Sequence, residues 1–320
     1  MPTPASVAAG ERLTVVLGEA RPDDRSLGGK GASLDRLARL GRPIPPGFCV
    51  TAASYRAWLA SVADRGALGA AVTRLPDPAA RDEIVAQLSA AATPDPVRDA
   101  VATALRALTR ELTQREPILA VRSSALDEDG AAASFAGVHE TELGLPPDVD
   151  EVLGAVRRCW LSLWSQAAVA YRARRGLPFD GVAMAVVVQA VVPAEISVVV
   201  FTRHPVTGRD DVLINAIRGL GEPMVSGTAT PETVVVDRAG RILERIPGDR
   251  GPRLFVRGGA VGSEVDLDAA PILDDGAAVA LAETALDVER QFGGPVDIEA
   301  AFAGGRWILL QARPITAGLR

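Results

Sequence analysis

The sequence predicts a mixed α+β fold in which helices dominate the first half and strands the second. Apolar residues recur at helical spacing from Val97 to Leu112, which is typical of a helix with one face packed on a core. From Gly181 onward, short runs rich in valine and isoleucine alternate with turn residues, as strands do. The change falls near residues 176–181, so we expect two subdomains, 1–178 and 179–320.

Caps and chain breakers delimit the elements in order. A first helix carries Leu34, Leu37 and Leu40 at helical spacing and ends at Gly41. Thr51 is expected to cap a helix that ends at Ser61, and others follow at 80–91 and 97–112. Asp148 begins a further helix, and Asp274 or Asp275 begins one over residues 275–292. The predicted strands are roughly 182–192, 196–202, 212–217, 232–238 and 242–246.

Composition bounds the class of protein. A chain of 320 residues that is 48% hydrophobic can bury a large core, and a net charge of −6 gives no reason to expect nucleic acid. Cys49 and Cys159 offer no disulfide framework or metal spacing, which is consistent with a reducing compartment. Residues 182–201 are as long as a membrane span, but polar interruptions at the middle favour two buried strands. We expect a cytoplasmic protein without a signal peptide.

The last strand pair carries the densest group of polar side chains. Asp297 and Glu299 share one face of their strand, because successive side chains point to opposite faces. Gln311 and Arg313 share one face of the return strand for the same reason. Gly304-Gly305 marks the turn between the two strands.

Register decides what these residues can do together. A three-residue loop, Gly304–Arg306, places Glu299 opposite Gln311, and the same loop places Asp297 opposite Arg313. A two-residue turn would put these groups on opposite faces. We expect the three-residue loop, because it gathers the apolar side chains on the other face: Ile298, Phe302, Ile308 and Leu310. Oxygen ligands beside an arginine suit Mg²⁺ bound to a polyphosphate, and a salt-bridged sheet face is the alternative interpretation.

A glycine-rich turn, Gly28–Gly31, enters the first helix and contains Lys30. A helix N-terminus offers backbone N–H groups and a positive dipole end to an anion, and the lysine adds a full charge. The turn is not a Walker A loop, since Gly31 stands where that motif needs Ser or Thr. The alternative is a plain turn with a solvated lysine.

An apolar strand, Ile118–Ala125, ends in a cationic tip that contains Arg122 and two hydroxyl residues. It runs into a loop of small residues, 126–137, which has no periodicity of its own. Such a loop could fold over a ligand as a flap, and an ordinary surface loop is the alternative.

Taken together, these segments resemble the nucleotide-binding domain of the phosphoenolpyruvate synthase, pyruvate phosphate dikinase and rifampin phosphotransferase family. The matching stretches run in the family's order from about Gly28 to Thr316: LGGKGASLDRL, PIPPGFCVT, AVRSSALDEDGAAASFAG, VVVQAVV, FTRHPVTG, GLGEPMVSGTATPETVVV and PVDIEAAF…WILLQARPIT. The resemblance implies an ATP-grasp-type fold of two subdomains with the nucleotide between them. Subdomain 1–178 would carry the Lys30 loop and the phosphate flap, and 179–320 the adenine segment and the Mg²⁺-binding hairpin.

The resemblance also implies roles for matching residues. Lys30 and Arg122 would bind the phosphates of ATP and stabilise charge that develops in phosphoryl transfer, and Arg313 would contact a phosphate. Gly137 and Thr141 would belong to the loop that closes over the phosphates.

The family's adenine and metal contacts map onto the second half of the chain. Gln189 would lie on the adenine side, where the backbone of Val191 would hydrogen-bond the base. Glu222 of the GLGE motif would contact the nucleotide or the metal shell. The Mg²⁺ ligands would come from the hairpin: Asp297, Glu299 and Gln311.

The sequence departs from the family pattern in places. Val138 stands where the flap usually has glutamine, and Val198 replaces a common glycine, which is expected to add bulk near the nucleotide. Neither change touches the phosphate cations, so we expect ATP binding to survive. His204 is expected to be a loop residue with a structural hydrogen bond. His139 adjoins the flap and is the one internal candidate for a phosphate acceptor or base.

The expected function is that of an ATP-dependent phosphotransferase using ATP and Mg²⁺. Dikinase chemistry would release AMP and phosphate and pass a phosphoryl group to a histidine or a small-molecule acceptor. This sequence lacks the family's phosphohistidine context, so we expect a stand-alone chain served by a separate histidine-domain protein. A direct ADP-forming kinase, an ATP-grasp ligase and a non-catalytic nucleotide-binding regulator are the alternatives. No nucleic acid or membrane partner is expected.

Overall fold

A computed structural model describes residues 11–112, 116–126, 141–249, 251–266 and 270–315. The chain forms two compact units: the first comprises the residues up to Asp35 and Pro46–Val191, and the second comprises Arg36–Pro45 and the residues from Val192. The first unit continues past the predicted boundary at residue 178, and the second takes in a short early segment. The functional subdomains 1–178 and 179–320 therefore stay a prediction.

The first unit combines one sheet with most of the helices. Its strands are β1 (Thr14–Val16), β2 (Gly47–Val50), β3 (Leu119–Ala125), β4 (Thr141–Leu145) and β5 (Met184–Ala190). Its helices are α1 (Gly28–Arg39, which ends in the second unit), α2 (Ala52–Ala60), α3 (Arg65–Thr73), α4 (Pro78–Ala90), α5 (Asp95–Glu111), α6 (Val149–Ser162) and α7 (Gln166–Arg175). Both element types are abundant, so the predicted α+β class is confirmed.

The second unit is built mainly on strands. These are β6 (Ile196–Phe201), β7 (Val212–Arg218), β8 (Glu232–Val236), β9 (Ile242–Ile246), β10 (Pro252–Arg257), β11 (Ala260–Val265), β12 (Val296–Ala303) and β13 (Arg306–Pro314). Its helices are the short α8 (Glu222–Val225) and the long α9 (Asp275–Phe292). The apolar run over residues 182–201 forms the two strands β5 and β6, as predicted. No described helix is both long enough and apolar enough to cross a membrane.

The first sheet is antiparallel, with the strand order β1-β2-β5-β3-β4. One of its faces is apolar and joins the core formed with the helices. At the centre of that core, the ring of Trp160 stacks on Trp58 at 5.1 Å and meets Tyr55 edge-on at 5.9 Å. Its indole N–H donates to the carbonyl of Met184 at 3.2 Å, so the buried polar atom is satisfied.

The second sheet is also antiparallel, with the strand order β13-β12-β6-β7-β8-β9. Apolar residues of α9 pack on one of its faces, among them Leu281 and Val288. Asp274 caps this helix by accepting from the N–H of Ala277, and Gly293 ends it in a left-handed conformation. The predicted start at Asp274 is therefore confirmed, as is the start of α6 at Asp148.

The expected cap at Thr51 differs in detail. Thr51 does occupy the cap position of α2, but its side chain makes no capping hydrogen bond. The hydroxyl donates to the carbonyl of Arg12 at 2.7 Å instead, and so ties the helix start to the segment before β1. A tertiary partner has replaced the local one.

The final hairpin corrects the predicted loop but confirms the predicted pairing. Ala303 pairs with Arg306, so the turn has two residues, Gly304 and Gly305, both with positive φ. Glu299 nevertheless lies opposite Gln311.

A β-bulge reconciles the two observations. The register shifts by one residue between Glu299 and Ala300, so that Leu310 is the extra residue on β13. Leu309, not Leu310, faces the core, and Ile308 pairs with Ala301 on the polar side. The expected apolar packing of Ile308 and Leu310 with Ile298 and Phe302 was therefore wrong.

Replacing Trp160 by alanine should lower the free energy of unfolding of the chain by about 3–5 kcal/mol, because a buried ring is exchanged for a cavity. Urea unfolding followed by circular dichroism measures this loss. Trp307→Ala is the control, since Trp307 is only half-buried at the hairpin. Equal losses in the two variants would contradict the central place of Trp160.

Candidate functional site

The glycine-rich turn is confirmed as the entry to a helix. A short 3-10 turn, Arg25–Leu27, leads directly into α1, and Lys30 lies half-buried in the first helical turn. Gly28 has a φ of +65°, which only glycine adopts without strain. A Cβ on Gly28 would stand 2.0 Å from the carbonyl oxygen of Ser124, so the turn lies directly against the end of β3.

The turn is bonded to β3 as well as packed on it. The hydroxyl of Ser124 donates to the carbonyl of Leu27 at 2.8 Å and accepts from the N–H of Gly31 at 3.0 Å. Both bonds are buried. The Lys30 turn is thereby placed on the first sheet.

Arg122 lies on the same face of β3 as Ser124, two residues earlier along the strand. Its pairing with Thr141 on β4 puts the hydroxyl of Thr141 on that face too, where it is exposed. Val121 and Ala125 point the other way into the core. The structure therefore places Arg122 and Thr141 on the same face of the first sheet as Ser124, which bonds the Lys30 turn.

Gln189 belongs to this face as well. It pairs with Ala120 on one side and with Gly47 on the other, and it is only 3% exposed. A Cβ on Gly47 would stand 2.9 Å from the Cβ of Gln189, so glycine makes room for the amide. The side-chain oxygen of Gln189 is buried and accepts no hydrogen bond from the described residues. A buried acceptor of this kind normally has a donor, and a bound ligand can supply one.

Val191 follows β5 and is buried. Its backbone N–H donates to the carbonyl of Ile118 at 2.9 Å. The N–H is therefore not the group that would meet a base. Gly137, Val138 and His139 lie outside the described residues, as does the flap from residue 127 on.

The second unit presents its own polar face. Glu299 pairs with Gln311, and Asp297 pairs with Arg313, so these four side chains lie on one side of the β12–β13 hairpin. The pairing of β12 with β6 continues this side through Val199. The opposite side carries the residues packed against α9.

Val198 corrects a sequence-based expectation. Its side chain belongs to the core beneath α9, together with Val200. The bulk that replaces the family's glycine therefore points away from the polar face, not toward it.

The GLGE segment is anchored beside the same sheet. The carbonyl of Gly219 accepts from the hydroxyl of Ser197 at 2.7 Å, and a Cβ on Gly219 would stand 2.1 Å from the carbonyl of Leu254. Ser197 pairs with Ala301, which places this anchor on the polar side of the sheet. Glu222 is exposed at the start of α8.

Asp297 and Arg313 form the best-defined ion pair of the hairpin. The Nε of Arg313 donates to Oδ2 of Asp297 at 2.7 Å, and Asp297 is only 6% exposed. Burial raises the pKa of the Asp297 carboxyl, which Arg313 opposes by favouring the anion and Glu299 reinforces by repelling it. The net direction is upward because burial is the larger effect.

The hairpin supplies only some of the ligands that a magnesium ion needs. Among the described residues, no three or more His, Cys, Asp or Glu side chains gather as a metal site. Two carboxylates and the amide oxygen of Gln311 are hard ligands, and Mg²⁺ is commonly bound through one or two carboxylates with phosphates supplying the rest. The donor set therefore fits Mg²⁺ that arrives with a nucleotide.

A cavity of about 440 Å³ lies elsewhere in the second unit, beneath the β10–β11 hairpin. Four of its charged side chains form two ion pairs, Arg245 with Glu232 and Arg218 with Asp266. The same arginines donate to backbone carbonyls near residues 270–273. These contacts hold the segment around residues 270–273 against the second sheet.

The structure confirms one expectation, for His204, and two other features were missed by sequence reasoning. His204 accepts from the N–H groups of Val206 and Thr207 at 3.3 Å, so the expected structural hydrogen bond is confirmed. The first of these is visible in the composition: Lys30 is the only lysine among 34 lysine and arginine residues, which singles out its position. Ser124 was missed because only the fold brings its hydroxyl to the Lys30 turn.

The first unit carries a lysine at a helix N-terminus, and the second carries oxygen ligands beside an arginine. Both features are typical of proteins that bind metal-associated phosphates. Comparison with known families agrees. Residues 24–319 match the family described as "Pyruvate phosphate dikinase, AMP/ATP-binding domain". The chain belongs to this family.

Several curated relatives are similar over most of the chain. A probable phosphoenolpyruvate synthase of Methanothermobacter thermautotrophicus is 38% identical over 90% of this chain and 44% of its own length. A rifampicin phosphotransferase of a Streptomyces species is 36% identical over 91% of this chain and 34% of its own. A prodigiosin synthesizing transferase of Serratia marcescens is 37% identical over 93% and 32%, respectively. The chain thus spans less than half the length of these relatives.

The raised pKa of Asp297 predicts a pH dependence of stability. Between the ordinary aspartate pKa of about 3.9 and the raised folded value, the unfolded chain loses this proton while the folded chain keeps it. The free energy of unfolding of the wild type, relative to Asp297→Asn, should therefore fall as pH rises through this window. Urea titrations from about pH 4 to pH 7 in metal-free buffer measure the difference.

Asp237→Asn is the control for that series. Hydrogen bonds from the backbone N–H and side chain of Arg241 lower the pKa of Asp237, so the stability this residue contributes is lost as pH falls. Its difference from the wild type should show no decline as pH rises. A decline in both series, or in neither, would contradict the assignment to Asp297.

Proposed function

We propose that the chain binds MgATP and performs the ATP-dependent part of a phosphotransferase reaction. The observation that carries the proposal is the polar face of the first sheet, where Ser124 fixes the Lys30 turn beside Arg122. Two cations, one of them at a helix N-terminus, suit the oxygens of a polyphosphate. The buried, unpaired acceptor of Gln189 on the same face suits the amino group of an adenine.

Each residue then has a physical task. Lys30 and Arg122 neutralise negative charge that grows on the phosphate oxygens in the transition state. Glu299 and Gln311 hold the magnesium ion of the substrate, and Arg313 contacts a phosphate. The buried Asp297 carboxylate supports the more exposed Arg313 through their ion pair, which sets the role of Asp297 apart from that of a simple ligand. An ATP-grasp arrangement, with the nucleotide between two subdomains, is part of this proposal.

The proposed reaction is dikinase-like. AMP and phosphate are the products, and a phosphoryl group passes to a partner histidine or a small-molecule acceptor. The names of the relatives, a probable phosphoenolpyruvate synthase and a rifampicin phosphotransferase, support phosphotransfer as the class of reaction. A separate protein that carries the family's histidine domain is the proposed partner.

Phosphorus NMR of the purified chain with MgATP separates the alternatives. AMP and phosphate that form only with a histidine-domain protein support the dikinase reaction. ADP formed with a small-molecule acceptor would indicate a direct kinase, and an acyl phosphate would indicate a ligase. Tight binding without turnover would indicate a regulatory subunit, against which the retention of Lys30, Arg122 and Arg313 argues.

Lys30→Ala and Arg122→Ala should each lower the rate of ATP consumption by at least about 100-fold, because each removes a cation that stabilises the transition state. Thermal unfolding should change little, since both side chains are only half-buried. The rate of ATP consumption, followed by phosphorus NMR, measures the effect. Wild-type turnover in either variant would contradict the assigned roles.

The single lysine permits an independent test of the same site. MgATP should protect Lys30 from a lysine-selective reagent, which mass spectrometry detects as one modified lysine peptide. Magnesium without nucleotide is the control. Equal modification with and without MgATP would count against contact between Lys30 and the phosphates.

Glu299→Ala should weaken the Mg²⁺-dependent part of ATP binding by about tenfold or more, because one charged ligand is lost. Isothermal titration with ATP, with and without Mg²⁺, measures that part. Glu244→Ala is the matched control, since Glu244 pairs with Val235 on the same face of the sheet at its far edge. Unchanged MgATP affinity in Glu299→Ala would show that the hairpin does not hold the metal.

A further inference from the structure

The start of α1 takes a capping group from a distant part of the chain. The first four N–H groups of a helix have no partner within the helix, and a polar side chain just before it usually accepts one of them. Here the chain enters α1 through Leu27, Gly28 and Gly29, none of which has a side-chain acceptor. The acceptor for Gly31 comes from Ser124, 93 residues further along the chain.

The Ser124 hydroxyl is fully committed to this turn. It accepts from Gly31 at 3.0 Å and donates to Leu27 at 2.8 Å, so one group bonds the last residue before α1 and a residue of its first turn. Ser124 is completely buried. Water cannot easily replace either bond. Loss of the hydroxyl would take the acceptor from the Gly31 N–H and leave the Leu27 carbonyl with the weak thiol donor of Cys49 at 3.6 Å.

Close packing leaves the turn no alternative position. The Cβ site of Gly28 overlaps the backbone of Ser124, and the Cβ site of Gly31 stands 3.1 Å from the sulfur of Cys49. The backbone of the turn therefore packs directly against β2 and β3. A shift of the turn away from Ser124 would move the Lys30 backbone with it.

We infer that Ser124 is a positioning residue, which caps α1 from β3 and thereby holds Lys30 in a fixed place relative to Arg122. Arg122 lies two residues before Ser124 on the same face, so one strand end sets the positions of both cations. Charges that are held in place before the ligand arrives stabilise it without further ordering. This inference rests on the proposed binding of MgATP.

A double-mutant cycle tests it. Ser124→Ala should weaken MgATP binding by about tenfold in the wild type, as expected for a misplaced cation. In a Lys30→Ala background the same change should cost less than about twofold, because the group it positions is gone. Isothermal titration calorimetry on the four full-length chains measures the cycle.

The single lysine supplies a second readout. Protein grown with lysine that carries ¹³C at the ε carbon gives one lysine signal, which reports on Lys30 alone. MgATP should shift this signal in the wild type and shift it less in Ser124→Ala. Ser123→Ala is the matched control, since Ser123 is equally buried but pairs with Val186 on the core-facing side of β3.

The outcomes are distinct. Wild-type affinity in Ser124→Ala, or an equal loss in the Lys30→Ala background, would overturn the positioning role while leaving the proposed function intact. Failure of the wild-type chain to bind MgATP would overturn both. If Ser124→Ala does not fold, Ser124→Cys keeps the packing but forms weaker hydrogen bonds. The same Lys30-dependent loss is then expected, and wild-type affinity would overturn the inference.

Discussion

Burial of one face of each antiparallel sheet determines where the strand-borne polar side chains of the candidate site lie. In the first sheet Phe48, Val121 and Val188 join the helical core, so their neighbours along each strand must point the other way. Those neighbours include Arg122, Ser124 and Gln189. The apolar faces thus determine where the chemistry lies, because a slip of one residue would bury the cations.

The second sheet obeys the same constraint with one correction. Val296, Ile298 and Ala300 pack toward α9, which sends Asp297 and Glu299 to the polar side. A tight glycine turn alone would pair Glu299 with Leu310. The bulge at Leu310 absorbs one residue, so the tight turn and the facing of Glu299 and Gln311 coexist.

Much of this could be predicted from the sequence, because the signals were local. Asp148 and Asp274 begin helices where their side chains cap them, and valine-rich runs form strands. The bulge could not be predicted, because two loop lengths with different registers satisfied the same alternation. The helix α3 and the β10–β11 hairpin also escaped, since neither has a strong periodic pattern.

The site was predictable where a charged residue stands in a recognisable motif, and unpredictable where its support comes from far along the chain. Lys30 and Arg313 are visible in their motifs. In the sequence, nothing distinguishes Ser124 from the adjacent Ser123. Only the fold shows that the Ser124 hydroxyl bonds the Lys30 turn. Likewise, the partnership of Arg313 with Asp297 depends on the register that the bulge restores.

The single lysine sets the first turn of α1 apart from every other position that carries a lysine or arginine. Arginine supplies every other basic side chain, including those in ion pairs such as Arg238–Glu289. A guanidinium is broad and planar and suits paired carboxylates, whereas an ammonium is a compact point charge that can approach phosphate from several directions. In a chain whose other 33 lysine or arginine positions are all arginine, the single lysine stands in the first turn of α1, at the helix N-terminus. On the proposed function, position 30 therefore favours a compact charge, which lysine supplies and arginine does not.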